Sequence, residues 1–273
     1  PMYIDECKRM NIAILKPDIN KSFTKFTVDE GKIRFGLGSI KNVGTSVVDT
    51  IVKNREEKGK FESFTNFCER MEGEAVNKKC IESLIKAGAF DELGQTRKTF
   101  MASYENIIDT ISNDKKGFDG QVSMFDLGGE TQKEEIKYNY IIEPEYDEKE
   151  KLSMEKEMLG IYISGHPLEK MRAQIEAKTT INSLKLRELS EPSEIEEDEK
   201  VTEYQDGQNV IYAGIVTSVK KKYTKNNTIM AFVTIEDLYG TTEFIVFDSC
   251  YRQCSDILVN DNIVEVEGRL SIR

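Results

Sequence analysis

GLGSIKNVGTSVVDTIVKNR, residues 36–55, reads as the end of a strand or turn, a short glycine-containing hairpin, and then an amphipathic helix. Val47, Val48, Ile51 and Val52 recur at helical spacing and form one apolar face, with Asp49, Lys53 and Arg55 off it. Gly44 stands just before the helix, and Thr45 or Ser46 is placed to cap it. Bare glycine backbone at a helix start leaves N–H groups pointing outward with the positive end of the helix dipole behind them, which suits a phosphate. Lys41 and Asn42 lie beside it. A tight inter-helix turn with a solvated lysine fits the same residues.

The rest of the chain sets bounds on this reading. Its 273 residues allow about two domains, each with its own core. No apolar run approaches the ~18–20 residues that span a bilayer, and PMYIDECKRM has no signal-peptide core, so a soluble protein without membrane partners is expected. Five scattered cysteines without a CxxC pair, and one histidine, predict no metal site and fit a reducing cytoplasm. The net charge of −11 argues against nucleic acid until its distribution is considered. Nearly all the imbalance lies between Glu130 and Asp206. Lys32, Arg34, Lys41, Lys53, Arg55, Lys58 and Lys60 outnumber Asp49, Glu56 and Glu57 around the opening stretch. Because charges act locally, within a Debye length of about 8–10 Å, an acidic middle leaves room for a basic face elsewhere.

Upstream, a short helix is expected around Asp5–Met10, then an apolar run Ile12–Leu15. Phe23–Phe35 should form a hairpin turning at Asp29–Gly31, with Phe26, Val28, Ile33 and Phe35 on its inner face. Downstream, helices are expected over Ser63–Met71 and Asn77–Ala87, the second capped by Asn77 and stopped by Gly88. After the AGAFDELG turn, Phe100, Tyr104, Ile107, Ile108 and Ile111 mark a third helix, a stripe that reads as core. Periodicity stops between Asn113 and Glu130, where QVSMFDL forms an apolar cluster in a polar loop. Such a cluster either anchors the loop or enters a partner's pocket. A charged helix is expected over Glu143–Gly165, ended by Gly165 and Pro167, with His166 a capping or structural residue. Leu168, Met171 and Ile175 mark another short helix, followed by an acidic linker over Ser190–Asp206. From Asn209 the period becomes two, and four strand-like runs with a helix after the third predict an OB-fold.

IRFGLGSIKNVG resembles the first helix-hairpin-helix of the C-family replicative polymerases, the bacterial DNA polymerase III alpha subunits, and the AGAFD turn between helices resembles the second. ECKRMNI, PDIN, EKEMLGIYISGHPLEK and MAFVTIEDLYG are similar to the same family, so the resemblance covers essentially the whole chain. It implies an α+β multidomain chain excised from a longer protein. The expected parts are an end-of-fingers region at 1–35, a tandem helix-hairpin-helix domain at 36–112, and a clamp-motif loop at 113–130. A helical and acidic linker at 131–207 would then lead to a β-barrel OB-fold at 208–273, short of its last strand.

The resemblance further implies a non-catalytic region that binds duplex DNA without reading sequence. Lys41, Asn42, Val43, Gly44, Thr45, Lys86, Gly88, Arg97 and Lys98 are the expected contacts. Gln121, Met124, Phe125 and Leu127 match the family's sliding-clamp motif. Lys220, Lys221, Lys222, Tyr223 and Lys225 are expected to meet single strands, with Phe232 and Phe244 as stacking platforms or core. Other replisome subunits are further expected partners. Mg²⁺ belongs to the family's palm, which lies N-terminal to this start, so no cofactor and no catalytic residue is expected here. Three other readings compete: a repair or structural helix-hairpin-helix/OB module without a clamp partner, a nuclease needing clustered carboxylates, and an RNA-binding OB module.

Overall fold

The computed structural model describes residues 12–74, 76–120, 138–190, 204–223 and 228–272 together with 7 and 10, and for 114–120 the backbone only. It divides into two compact units, residues 1–165 and 166–273. The expected Asp5–Met10 helix lies largely outside the described residues.

The first unit opens with a small sheet. β1 (Ile14–Leu15) pairs parallel to β3 (Lys32–Arg34), which pairs antiparallel to β2 (Thr27–Asp29). Asp29 pairs with Lys32, leaving a two-residue turn whose Glu30 and Gly31 both have positive φ, as a type I′ hairpin requires. The inner face differs from expectation: Val28 is 80% exposed and Phe26 is exposed too, whereas Arg34 is buried. Arg34 takes the inner position because its guanidinium donates to Asp29 at 2.6 Å and to the Lys16 carbonyl at 2.9 Å.

Four helices follow: α1 (Thr45–Lys58), α2 (Phe64–Met71), α3 (Lys78–Lys86) and α4 (Arg97–Gly120). Ser63 caps α2 by accepting from the Asn66 amide, and Asn77 caps α3 by accepting from the Cys80 amide. Val47, Val48, Ile51, Phe64, Phe67, Leu84, Ile85, Phe90, Phe100, Ile107 and Ile111 meet in one core. Arg55, expected off the apolar face of α1, is 8% exposed. It donates to the Ile19 carbonyl at 2.8 Å and lies over the Phe23 ring. α4 continues to Gly120, past Asn113 where the apolar periodicity stops.

Residues 138–147 run back along α4 without regular structure, tied by Ile141 N–H to Ser103 Oγ and Glu143 N–H to Thr99 Oγ1. α5 (Glu148–Leu159) is shorter than the expected Glu143–Gly165 helix. Asp147 and Glu150 form a reciprocal capping box at its start, and Gly160, left-handed at φ 76°, ends it before Gly165.

The second unit holds α6 (Arg172–Lys178), α7 (Ser183–Ser190) and a curled antiparallel sheet ordered β6-β5-β4-β7. These strands are β4 (Asn209–Tyr223), β5 (Ile229–Glu236), β6 (Thr241–Phe247) and β7 (Ile263–Arg269), with α8 (Asp248–Cys254) between β6 and β7. The 15-residue β4 pairs with β7 over its first half and β5 over its second, with a bulge between Val216 and Ser218. That bulge bends one strand across both halves of an OB-type half-barrel. Tyr212, Val216, Ala231, Val233, Ile235, Tyr251 and Val264 fill it. His166 accepts the Leu168 amide at Nδ1, 3.2 Å away, consistent with the structural role expected of it.

Candidate nucleic-acid interface

The first hairpin runs from a single 3₁₀ turn, Leu37–Ser39, to the start of α1. Its two leading glycines serve packing: a Cβ on Gly36 would meet the Lys25 backbone at 2.6 Å, and one on Gly38 the Thr24 carbonyl at 2.8 Å. The N-cap of α1 is Gly44, not Thr45 or Ser46, so both hydroxyl residues lie in the first helical turn. The first intrahelical bond runs from Val48 N–H to Gly44 O, and the three amides before it belong to the unsatisfied start of the helix. Lys41, Asn42, Gly44 and Thr45 are exposed around those amides, while Val43 is buried and anchors the turn. Among the described residues no carboxylate pairs with Lys41.

Two bonds seat this turn. The Lys41 N–H donates to the Met158 carbonyl in the last turn of α5 at 3.0 Å. Asn42, held at φ 64°, donates from Nδ2 to Ser83 Oγ on α3 at 3.1 Å. Asparagine is among the few side chains that accept that backbone region readily.

The second turn, Ala87–Phe90, is built differently. The amides of Ala87, Gly88 and Ala89 donate to the Ser83, Ile85 and Leu84 carbonyls, so they are spent inside the turn. The start of α4 already faces an anion, since the Arg97 amide donates to a Glu145 carboxylate oxygen at 3.3 Å. Of the basic residues expected to reach phosphate here, Arg97 and Lys86 are engaged internally, which corrects the expectation for those two, whereas the side chain of Lys98 stays 40% exposed. Lys86 bonds Glu82 at 2.8 Å, and that bond holds its ammonium above the ordinary lysine range. Lys98 lies 3.8 Å from Glu143. Gly88 is buried, and a Cβ on it would fall on the Arg97 guanidinium.

Arg97 departs furthest from expectation, with a side chain only 1% exposed. It forms a two-pronged bond to Asp91, with Nε–Oδ1 and Nη2–Oδ2 both 2.8 Å, and reaches Glu155 at 3.1 Å. Lys16 joins Asp91 at 2.9 Å, giving two cations and two carboxylates. Glu155 is fully buried and also accepts from the Ile163 and Ser164 amides and from Ser164 Oγ. The sequence carried one sign of this cluster: Asp91, six residues before Arg97, sits in the same turn.

In the second unit, alternation along the strands sorts the expected single-strand residues. Lys220 pairs in register with Phe232 and then Ile245, and Lys222 with Met230 and then Phe247, so these six share one sheet face. Ile245 and Phe247 are exposed there, and neither was identified from sequence. Their signal was the alternation of EFIVF, in which Phe244 and Val246 take the inner positions. Phe244 packs on Tyr212 at 4.9 Å between ring centroids and belongs to the core. Lys221 projects to the other side, over the Tyr251 ring. Tyr223 is exposed at the strand end. Lys225 and the Gln121, Met124, Phe125 and Leu127 cluster lie outside the described residues. Among the described residues no helix is long and apolar enough to cross a membrane.

The helix-hairpin-helix motif family matches residues 11–100, and the OB-fold nucleic acid binding domain family matches residues 210–273. The chain is 38% identical over 271 residues to the DNA polymerase III subunit alpha of Borreliella burgdorferi, covering 98% of this chain and 22% of the relative. It is 36% identical to that of Saccharopolyspora erythraea, covering 100% and 22%, and 33% identical to that of Campylobacter jejuni, covering 96% and 21%. The chain thus spans about a fifth of the length of these curated relatives, and is similar from end to end to their C-terminal part.

Proposed function

We propose that this chain, as the counterpart of the C-terminal part of DNA polymerase III alpha subunits, is a non-catalytic region that grips duplex DNA through its first hairpin. The observation that carries this reading is the contrast between the two glycine turns. At the first turn the amides that open α1 lie outside its hydrogen-bond ladder at the exposed Gly44–Ser46, beside the exposed Lys41, whereas at the second the amides of Ala87, Gly88 and Ala89 are bonded within the turn and Lys86 and Arg97 are tied to carboxylates. Backbone N–H groups and one lysine at a helix start hold a phosphate without reading bases.

Two further contacts belong to the same proposal. Lys220 and Lys222, beside Phe232, Ile245 and Phe247, offer charge and apolar platforms to an unpaired template strand. Gln121, Met124, Phe125 and Leu127 dock on the sliding clamp, a reading supported by resemblance and by their place in the sequence after the helix-hairpin-helix match and before the OB-fold match. Weak sites linked in one chain raise one another's effective concentration, and processive synthesis follows from that avidity.

The test is titration of the chain into fluorescent duplexes of two unrelated sequences at several salt concentrations. Equal affinity for both, falling steeply with salt and weakened by Lys41→Ala, is expected. Strong preference for one sequence, or indifference to Lys41→Ala, contradicts the grip. Calorimetry against a bacterial sliding clamp, beside a Gln121→Ala/Phe125→Ala chain, tests docking separately. Binding that survives the double change places the clamp contact elsewhere.

A further inference from the structure

Arg97 is the largest fully buried side chain among the described residues, and the proposed grip does not touch it. Gly88 makes its burial possible: the guanidinium occupies the space a Cβ would fill, and Gly88 itself is left-handed at φ 80°. From that seat Arg97 bonds the Lys86 carbonyl and Asp91 within the second turn, and reaches across to Glu155 on α5. Glu155 in turn fixes the chain leaving α5 through the Ile163 and Ser164 amides. Three residues after Glu155, on the same helix, the Met158 carbonyl accepts the Lys41 amide at the tip of the first hairpin. Asn42, the next residue, is held by Ser83 on α3, the helix that ends in the second turn.

We infer that the second glycine turn is a positioning device for the first. Gly88 seats Arg97, Arg97 fixes Glu155, and Glu155 sets the last turn of α5 so that Met158 holds Lys41 and its neighbours toward phosphate. Glu155 is then a positioning residue that meets no DNA. The duplex arm of this inference rests on the proposed grip of the first hairpin; the structural arm does not.

Glu155→Gln keeps the shape and removes the charge that Arg97 answers. Ser164→Ala trims a single bond to the same carboxylate and is the milder change, available if the first fails to fold. Two readouts apply to the full chain. In hydrogen exchange, the Lys41 amide should lose protection in Glu155→Gln while the amides of α2 keep theirs. In duplex titration, Glu155→Gln should weaken binding by about tenfold, the scale of one misplaced hydrogen bond. It should also flatten the salt dependence as Lys41→Ala does, and the two changes together should cost less than their separate effects combined. A purely structural Glu155 would lower the unfolding midpoint while leaving Lys41 exchange, folded-state affinity and salt dependence untouched, and that result overturns the inference. If the unaltered chain binds no duplex, the grip fails. Lys41 exchange then decides the positioning alone, unchanged protection overturning it.

Discussion

A single arginine carries the sharpest difference between sequence and structure. Arg97 follows a polar turn and opens a helix, a setting in which a basic side chain reads as solvated and ready for phosphate. Its partners decide otherwise, and the one that completes the network, Glu155, is 58 residues away. Local pattern carries no information about such a pairing, so the expectation failed for a physical reason. Removing the cation leaves two carboxylates in a poorly solvated interior. Arg97→Met should therefore destabilise the first unit by about 3–5 kcal/mol in urea unfolding, the usual cost of stranding buried charge. Asp91 gives the same network a pH signature. Burial pushes its carboxyl up, but Arg97 and Lys16 outweigh burial and hold it below the usual carboxylate range. A group depressed in the folded state contributes fully above its unfolded value, about pH 4, and loses that contribution as pH falls through the folded value. Stability measured below pH 4 should therefore drop less steeply in Asp91→Asn than in the unaltered chain. Equal slopes would remove Asp91 from the acid transition.

Elements were more legible than residues. The helices α1, α2 and α3 sit within a residue or two of the apolar periodicity and caps that predicted them, because period, cap and stop agree locally. α5 shows where such reading fails. Tyr162 and Ile163 continue an apolar pattern beyond Gly160, yet that glycine adopts the left-handed conformation and ends the helix. The capping box of Asp147 with Glu150 marked the true start and was missed. Glycines within one stretch also differ in use, which spacing alone does not reveal. Gly36 lies against backbone, whereas a Cβ on Gly44 would meet only Ser46 Oγ, at 3.9 Å. Gly36→Ala should therefore destabilise the first unit by about 1–3 kcal/mol through overpacking. Gly44→Ala should cost about 1 kcal/mol or less, as a poorer cap, yet weaken duplex binding by crowding the amides. Thermal unfolding beside duplex titration separates the two, and equal losses of affinity per unit of lost stability would deny Gly44 a contact role.

Across the whole chain, net charge is the least informative number, because the acidic excess falls in the middle of the sequence and not at the first hairpin. The order of a helical region and an OB-fold was legible from the change of period near Asn209, whereas the helix-hairpin-helix reading of the helical part came from resemblance. The division of labour between the two glycine turns was not legible, since both read alike until their hydrogen bonds are known. Backbone amide shifts on adding a short duplex to the labelled chain tell the two turns apart. Shifts concentrated at Lys41–Ser46 and absent from Ala87–Asp91 are predicted. Shifts at Ala87–Asp91, or none at Lys41–Ser46 while the duplex binds, would contradict that division.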